Sequence, residues 1–97
     1  MFRVGANPPS GSVAASGSVT VALDDNVDEI RVTIVGTGAG SVKPNFTIGG
    51  TGYTSHEAYA ISNDTRIIKA ANAKSLTITE TGDANPIAFR VSAYKEN

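Results

Sequence analysis

The chain has 97 residues, no cysteine and a formal charge of −1 from eight basic and nine acidic side chains. That length supports one domain with one core, and the missing thiols exclude disulfide staples, cysteine-ligated zinc, iron–sulfur clusters and cysteine nucleophiles. The balanced charge offers no basic stripe for phosphates, and no run of about 18 apolar residues offers a membrane helix, so neither nucleic acid nor membrane is an expected partner.

Residues 1–18 read as an extended N-terminal arm. Asn7-Pro8-Pro9-Ser10-Gly11-Ser12 and Ala14-Ala15-Ser16-Gly17-Ser18 are turn and linker chemistry, because proline lacks an N–H and glycine and serine favour loops. Phe2 and Val4 nevertheless alternate as apolar residues. They fit either a frayed end or an arm docked on this chain's sheet or on a neighbour's. The segment Met1 to Pro9 lacks the continuous apolar core of a signal peptide.

Beyond residue 18 a period of two takes over, as expected of half-buried strands. Val19, Val21 and Leu23 form one set, and Ile30, Val32 and Ile34 another, with Glu29, Arg31 and Thr33 turned to water. Phe46 and Ile48, Tyr59 and Ile61, and Leu76 and Ile78 follow. Ile87, Phe89, Val91 and Ala93 close the series against Arg90, Ser92 and Tyr94. Turn signals part these runs at Asp24-Asp25-Asn26, Gly36 to Gly40, Gly49-Gly50-Thr51-Gly52, Ser62-Asn63-Asp64 and Thr81 to Pro86. Arg66 to Lys69 reads as a strand, and Ala70 to Lys74 as a loop or single helical turn. The expected fold is all-β: an antiparallel β-sandwich or jelly-roll-like barrel of six to eight short strands, with the arm at 1–18 and the domain at 19–97.

Constellations that might carry chemistry fail on geometry. His56, the single histidine, lies between Ser55 and Glu57, which in an extended segment point away from it; a surface loop histidine or a pH-sensitive contact is the expectation. Asp24, Asp25, Asp28 and Glu29 supply hard oxygens but lack the spacing and glycine of a calcium loop, so a solvated turn is expected and a cation site is the rival. Gly36-Thr37-Gly38-Ala39-Gly40-Ser41 has neither the lysine of a phosphate loop nor a helix behind it. Tyr53, Tyr59 and Tyr94 could border a sugar-binding face, although the chain has no tryptophan. No catalytic, cofactor-binding or metal-ligating residue is assigned, and no enzyme activity is expected.

The low charged fraction, 18%, leaves a surface of small neutral polar groups that suits packing against other proteins. The arm from Met1 to Ser18, followed by Ser/Thr/Ala/Gly-rich strands such as Glu29-Ile30-Arg31-Val32-Thr33-Ile34-Val35, resembles small virion proteins of tailed bacteriophages, capsid decoration (cement) proteins above all. The resemblance spans the chain in composition and contains no diagnostic motif. It implies a non-enzymatic protein on the capsid surface of a virion assembled in the host cytoplasm. It also implies a homo-oligomer, most often a trimer, that clamps the major capsid protein or other virion subunits. Phe2, Arg3, Val4, Pro8 and Pro9 of the arm are the candidate partner-binding residues, with β-augmentation by Phe2-Arg3-Val4-Gly5 as a mechanism. The alternative is a carbohydrate- or ligand-binding module with Tyr53, Tyr59 and the Gly36–Gly40 loop around a groove.

Overall fold

The structure, a computed structural model, describes residues 1–36, 43–50, 52–58, 64–81 and 86–96. Every regular element among them is a strand: β1 (Phe2–Val4), β2 (Ala6–Asn7), β3 (Ser10–Val13), β4 (Ser18–Gly36), β5 (Lys43–Gly50), β6 (Tyr53–Ala58), β7 (Asp64–Thr81) and β8 (Ile87–Lys95). They form one antiparallel sheet in the order β1-β8-β4-β7-β5-β6, with β2 added to β4 and β3 added to β8. The all-β expectation holds, and the fold is sandwich-like.

Two of the strands are not short. β4 runs for 19 residues and β7 for 18. The expected turn at Asp24-Asp25-Asn26 is therefore corrected to an interruption inside one strand, and the expected loop at Ala70 to Lys74 is corrected to strand. Both corrections have the same cause, a pair of bulges in the β4–β7 ladder. Register passes from Ala22 opposite Ser75 to Val27 opposite Ala73, then to Glu29 opposite Lys69. Leu23 to Asn26 thus face Lys74 alone, and Ala70 to Asn72 face Asp28 alone. Bulge chemistry overlaps turn chemistry. Asp25 Oδ1 accepts the Asn26 N–H at 2.8 Å, and Asn72 sits at φ 57° in the left-handed region that asparagine tolerates.

The bulges also reset which side chains point inward. Val21 and Leu23 are buried before them, whereas Ile30, Val32 and Ile34 are buried after them, a switch from odd to even positions. Without that switch, one half of β4 would turn its apolar set to water. With it, both halves face a single cluster that includes Phe46, Leu76, Ile78, Ile87 and Phe89. On β8 the predicted alternation appears intact: Ile87, Phe89, Val91 and Ala93 are all buried.

The arm belongs to the sheet. Phe2, Arg3 and Val4 pair with Lys95, Tyr94 and Ala93, while Ser10 to Val13 pair with Arg90 to Ile87. Between these segments the chain crosses to β4, where Ala6 opposes Leu23 and Asn7 opposes Ala22. The Asn7–Pro8 peptide is cis, and Pro9 O accepts the Val91 N–H at 2.8 Å. Val4 and Val13 join the core. The linker reading of Ser10-Gly11-Ser12 is corrected: β8 presents an edge of unpaired backbone groups there, and pairing with it outweighs the loop preference of glycine and serine.

Of the predicted turns, residues 37–40, Thr51, Ser62-Asn63 and 82–85 lie outside the described residues, while Gly36, Asp64 and Thr81 are strand ends instead of turn residues. Tyr59 and Ile61 also lie outside the described residues. Gly49 and Gly50 fall within β5, and Gly52, at φ 82°, adopts a backbone that suits glycine just before β6.

Candidate functional site

Alternation places Arg90, Ser92 and Tyr94 of β8 on the face opposite the core. Glu29, Arg31, Thr33 and Val35 of β4 lie beside them, because β4 and β8 pair from Glu29–Tyr94 to Gly36–Ile87. The register extends these rows across four strands. Arg3, Tyr94, Glu29 and Lys69 form one row, and Ser10, Arg90, Thr33 and Thr65 form another. Arg31 and Ile67 stand between them.

Glu29 organises the first row. Its carboxylate accepts a hydrogen bond from Arg31 Nε at 2.7 Å and another from Lys69 Nζ. The residue is only 3% exposed although it is on the outer face, because its cationic neighbours and Tyr94 cover it. The Lys69 ammonium, and secondarily the Arg31 guanidinium, hold the Glu29 carboxyl below its ordinary value of 4.5 against the opposing effect of burial. Arg31 also lies over the Tyr94 ring, 4.5 Å from its centroid, a cation–π contact worth about 0.5–1 kcal/mol at an exposed site. Among the described residues, Arg3, Arg31, Lys69 and Arg90 set four cations against the carboxylate of Glu29 on this face.

Next to Arg90 the surface dips into a depression of about 400 Å³ lined by Ser10, Gly11, Thr33, Val35, Ala88, Phe89 and Arg90. Val35 is 44% exposed there and Ile67, farther along the face, 53%. The site therefore combines a guanidinium, hydroxyls and exposed aliphatic surface.

The acidic segment at the bulge does different work. Asp24 Oδ1 accepts a hydrogen bond from Asn7 Nδ2 at 2.8 Å, Asp25 Oδ2 pairs with Lys95 Nζ at 2.8 Å, and Asp28 Oδ2 accepts the Glu96 N–H at 2.9 Å. The hydrogen bond from Lys95, then the Asn26 N–H, lowers the Asp25 carboxyl below its ordinary 3.8. These carboxylates tie the arm and the C-terminal strand to the β4 bulge. Among the described residues no three His, Asp or Glu side chains converge as a metal site requires.

On the outward face of the other half of the sheet the described residues include a row of threonines. Thr20, Thr77 and Thr47 oppose one another across β4, β7 and β5, and the Thr20 and Thr77 hydroxyls share a hydrogen bond at 3.0 Å.

Of the residues singled out in the arm, Phe2 is 50% exposed and Arg3 is exposed, Val4 is buried, and Pro8 and Pro9 are exposed. Phe2, Arg3 and Val4 share β1; Pro8 and Pro9 lie beyond β2. His56 is on β6, a strand instead of the expected loop, and its side chain, like that of Tyr53, lies outside the described residues. Tyr94 stands on the basic face, apart from β6 in the sheet order. Sequence reasoning put Glu29, Arg31, Arg90 and Tyr94 on water-facing sides of their strands but did not bring them together. The missing signal was the adjacency of β4 and β8, which no local pattern encodes. No protein-family model and no curated protein matches the chain.

Proposed function

We propose that the chain is a non-enzymatic structural module that binds neighbouring protein subunits, acting as a capsid decoration protein of the tailed-bacteriophage kind and self-associating on the shell. The observation that carries this reading is strand β1. It ends the sheet order, it bears the half-exposed Phe2, and it adjoins a face built around Arg31 and Tyr94. An end strand can accept a strand from a partner, while exposed aromatic and arginine side chains are the residues that dominate protein–protein contacts. A contact of standard size, about 1,600 Å² in total, is within reach of a module this small.

Val4 and the β8-facing backbone groups of Phe2-Arg3-Val4 are engaged within the chain. The augmentation mechanism therefore uses the opposite edge of β1, with Phe2 and Arg3 as the contacts and Val4 as an anchor for the strand. Coexpression of the chain with a shell-forming major capsid protein of a tailed bacteriophage, followed by sedimentation, tests the reading. Shells that carry the chain support it. Bare shells, together with a chain that stays monomeric at every concentration, refute it.

A further inference from the structure

We propose that the outer face of β1, β3, β8, β4 and β7 is a docking surface for an acidic segment of a partner protein, with a carboxylate of that segment seated on Arg90. This deepens the subunit-binding reading above and rests on it.

Charge supplies the first argument. The protein as a whole carries −1, yet among the described residues this face gathers four cations around the Glu29 carboxylate, which two of those cations already neutralise. Arg3 and Arg90 hold no ion pair among the described residues. Their guanidinium groups serve no internal partner there, and planar N–H donors of this kind match a carboxylate in a two-pronged geometry.

Shape and polarity supply the second. The depression at Arg90 is lined by Ser10, Thr33 and the exposed Val35 side chain, and the Thr33 hydroxyl shares a hydrogen bond with that of Thr65 at 2.8 Å. A segment that presents an aspartate or glutamate beside an aliphatic residue satisfies both parts. Arginine and tyrosine with aliphatic surface between them is the composition of a protein contact. A nucleic acid fits less well, because the exposed aliphatic Val35 and Ile67 between the cations offer its phosphates no partner.

The test measures binding of the intact chain at 0.15 M salt (a Debye length of about 8 Å) to three probes: labelled poly-L-glutamate, a duplex DNA of mixed sequence, and phosphatidylserine vesicles. Poly-L-glutamate should bind, and the double variant Arg3→Ser, Arg90→Ser should bind it about tenfold more weakly, the combined effect expected of two exposed ion pairs. Lys74→Ser, opposite Leu23 to Asn26 at the β4–β7 bulge and outside the rows of Arg3 and Arg90, should leave binding unchanged. Equal binding by the double variant, no binding of poly-L-glutamate, or tighter binding of DNA or vesicles would each overturn the proposal. The double variant also separates this idea from the shell reading. If it decorates shells as well as the parent chain does, the face is wrong and the shell reading stands. If poly-L-glutamate binds through Arg3 and Arg90 while shells remain bare, the face stands and the shell reading falls.

Discussion

Glu80 holds the arm to the body of the sheet. This residue of β7 is 1% exposed, and its Oε2 accepts the backbone N–H of Ser16 at 2.7 Å, while its own N–H donates to Gly17 O at 2.9 Å. The turn it grips contains Ser16 at φ 58° and is closed by the Gly17 N–H on Ala14 O. Replacing Glu80 with alanine leaves the Ser16 N–H without its acceptor in a part-buried place. The expected cost is about 2 kcal/mol in urea unfolding, while Glu80→Gln, which keeps an oxygen acceptor, should cost less than half as much.

The arm should behave as part of the core. Val13 is fully buried on β3, so Val13→Ala loses transfer energy and leaves a cavity, at an expected cost of about 2 kcal/mol. Pro9→Ala, at an exposed position, serves as the control. Equal stability of the two variants would mean that the arm is peripheral.

Gly5 makes room for the Asp24 side chain. A β-carbon there would come within 2.1 Å of Asp24 Oδ2, and Gly5 O also accepts the Asp24 N–H at 2.9 Å. Gly5→Ala must swing the exposed Asp24 carboxylate away from Asn7, a flexible side chain that can yield, so it should destabilise the protein by less than about 1 kcal/mol while raising amide exchange in β1 and β2. Unchanged exchange in those strands would contradict the packing described.

Stability should fall on the acid side, and Glu29 should be a principal cause. Its carboxyl is held below 4.5 when folded, chiefly by Lys69, and that of Asp25 below 3.8, chiefly by Lys95. A carboxylate whose value is lower in the folded than in the unfolded state contributes its full stabilisation above the unfolded value. It loses that contribution as pH falls through the folded one. The melting temperature should therefore be level near neutrality and drop below the ordinary carboxylate range. Glu29→Gln should lower the neutral plateau and flatten the acid branch. An acid branch identical to the parent's would remove Glu29 from the account.

Much of this fold is written in alternation, and β8 shows why. Ile87, Phe89, Val91 and Ala93 keep one parity from end to end, so the inward face can be read directly. β4 and β7 resist that reading because their parity changes inside the strand. Asp24-Asp25-Asn26 and Asn72 form a bulge with the same residue types that would form a turn, and only cross-strand register separates the two outcomes. Burial of Glu29 and Glu80 was equally hidden. Each carboxyl is covered by partners distant in sequence, Lys69 for the first and Ser16 for the second. The basic face was half legible: the outward parity of Arg31, Arg90 and Tyr94 follows from alternation, but their meeting depends on β8 lying beside β4.

The most direct measurement of the proposed capsid reading is hydrogen exchange of the chain mixed with assembled shells of a tailed-phage major capsid protein, compared with the chain alone. The account predicts slower exchange on binding in β1, whose outer edge faces the partner, and in β8 beneath the Arg90 depression, with β5 and β6 unchanged. Protection confined to β5 and β6, or no protection in any strand, would contradict it.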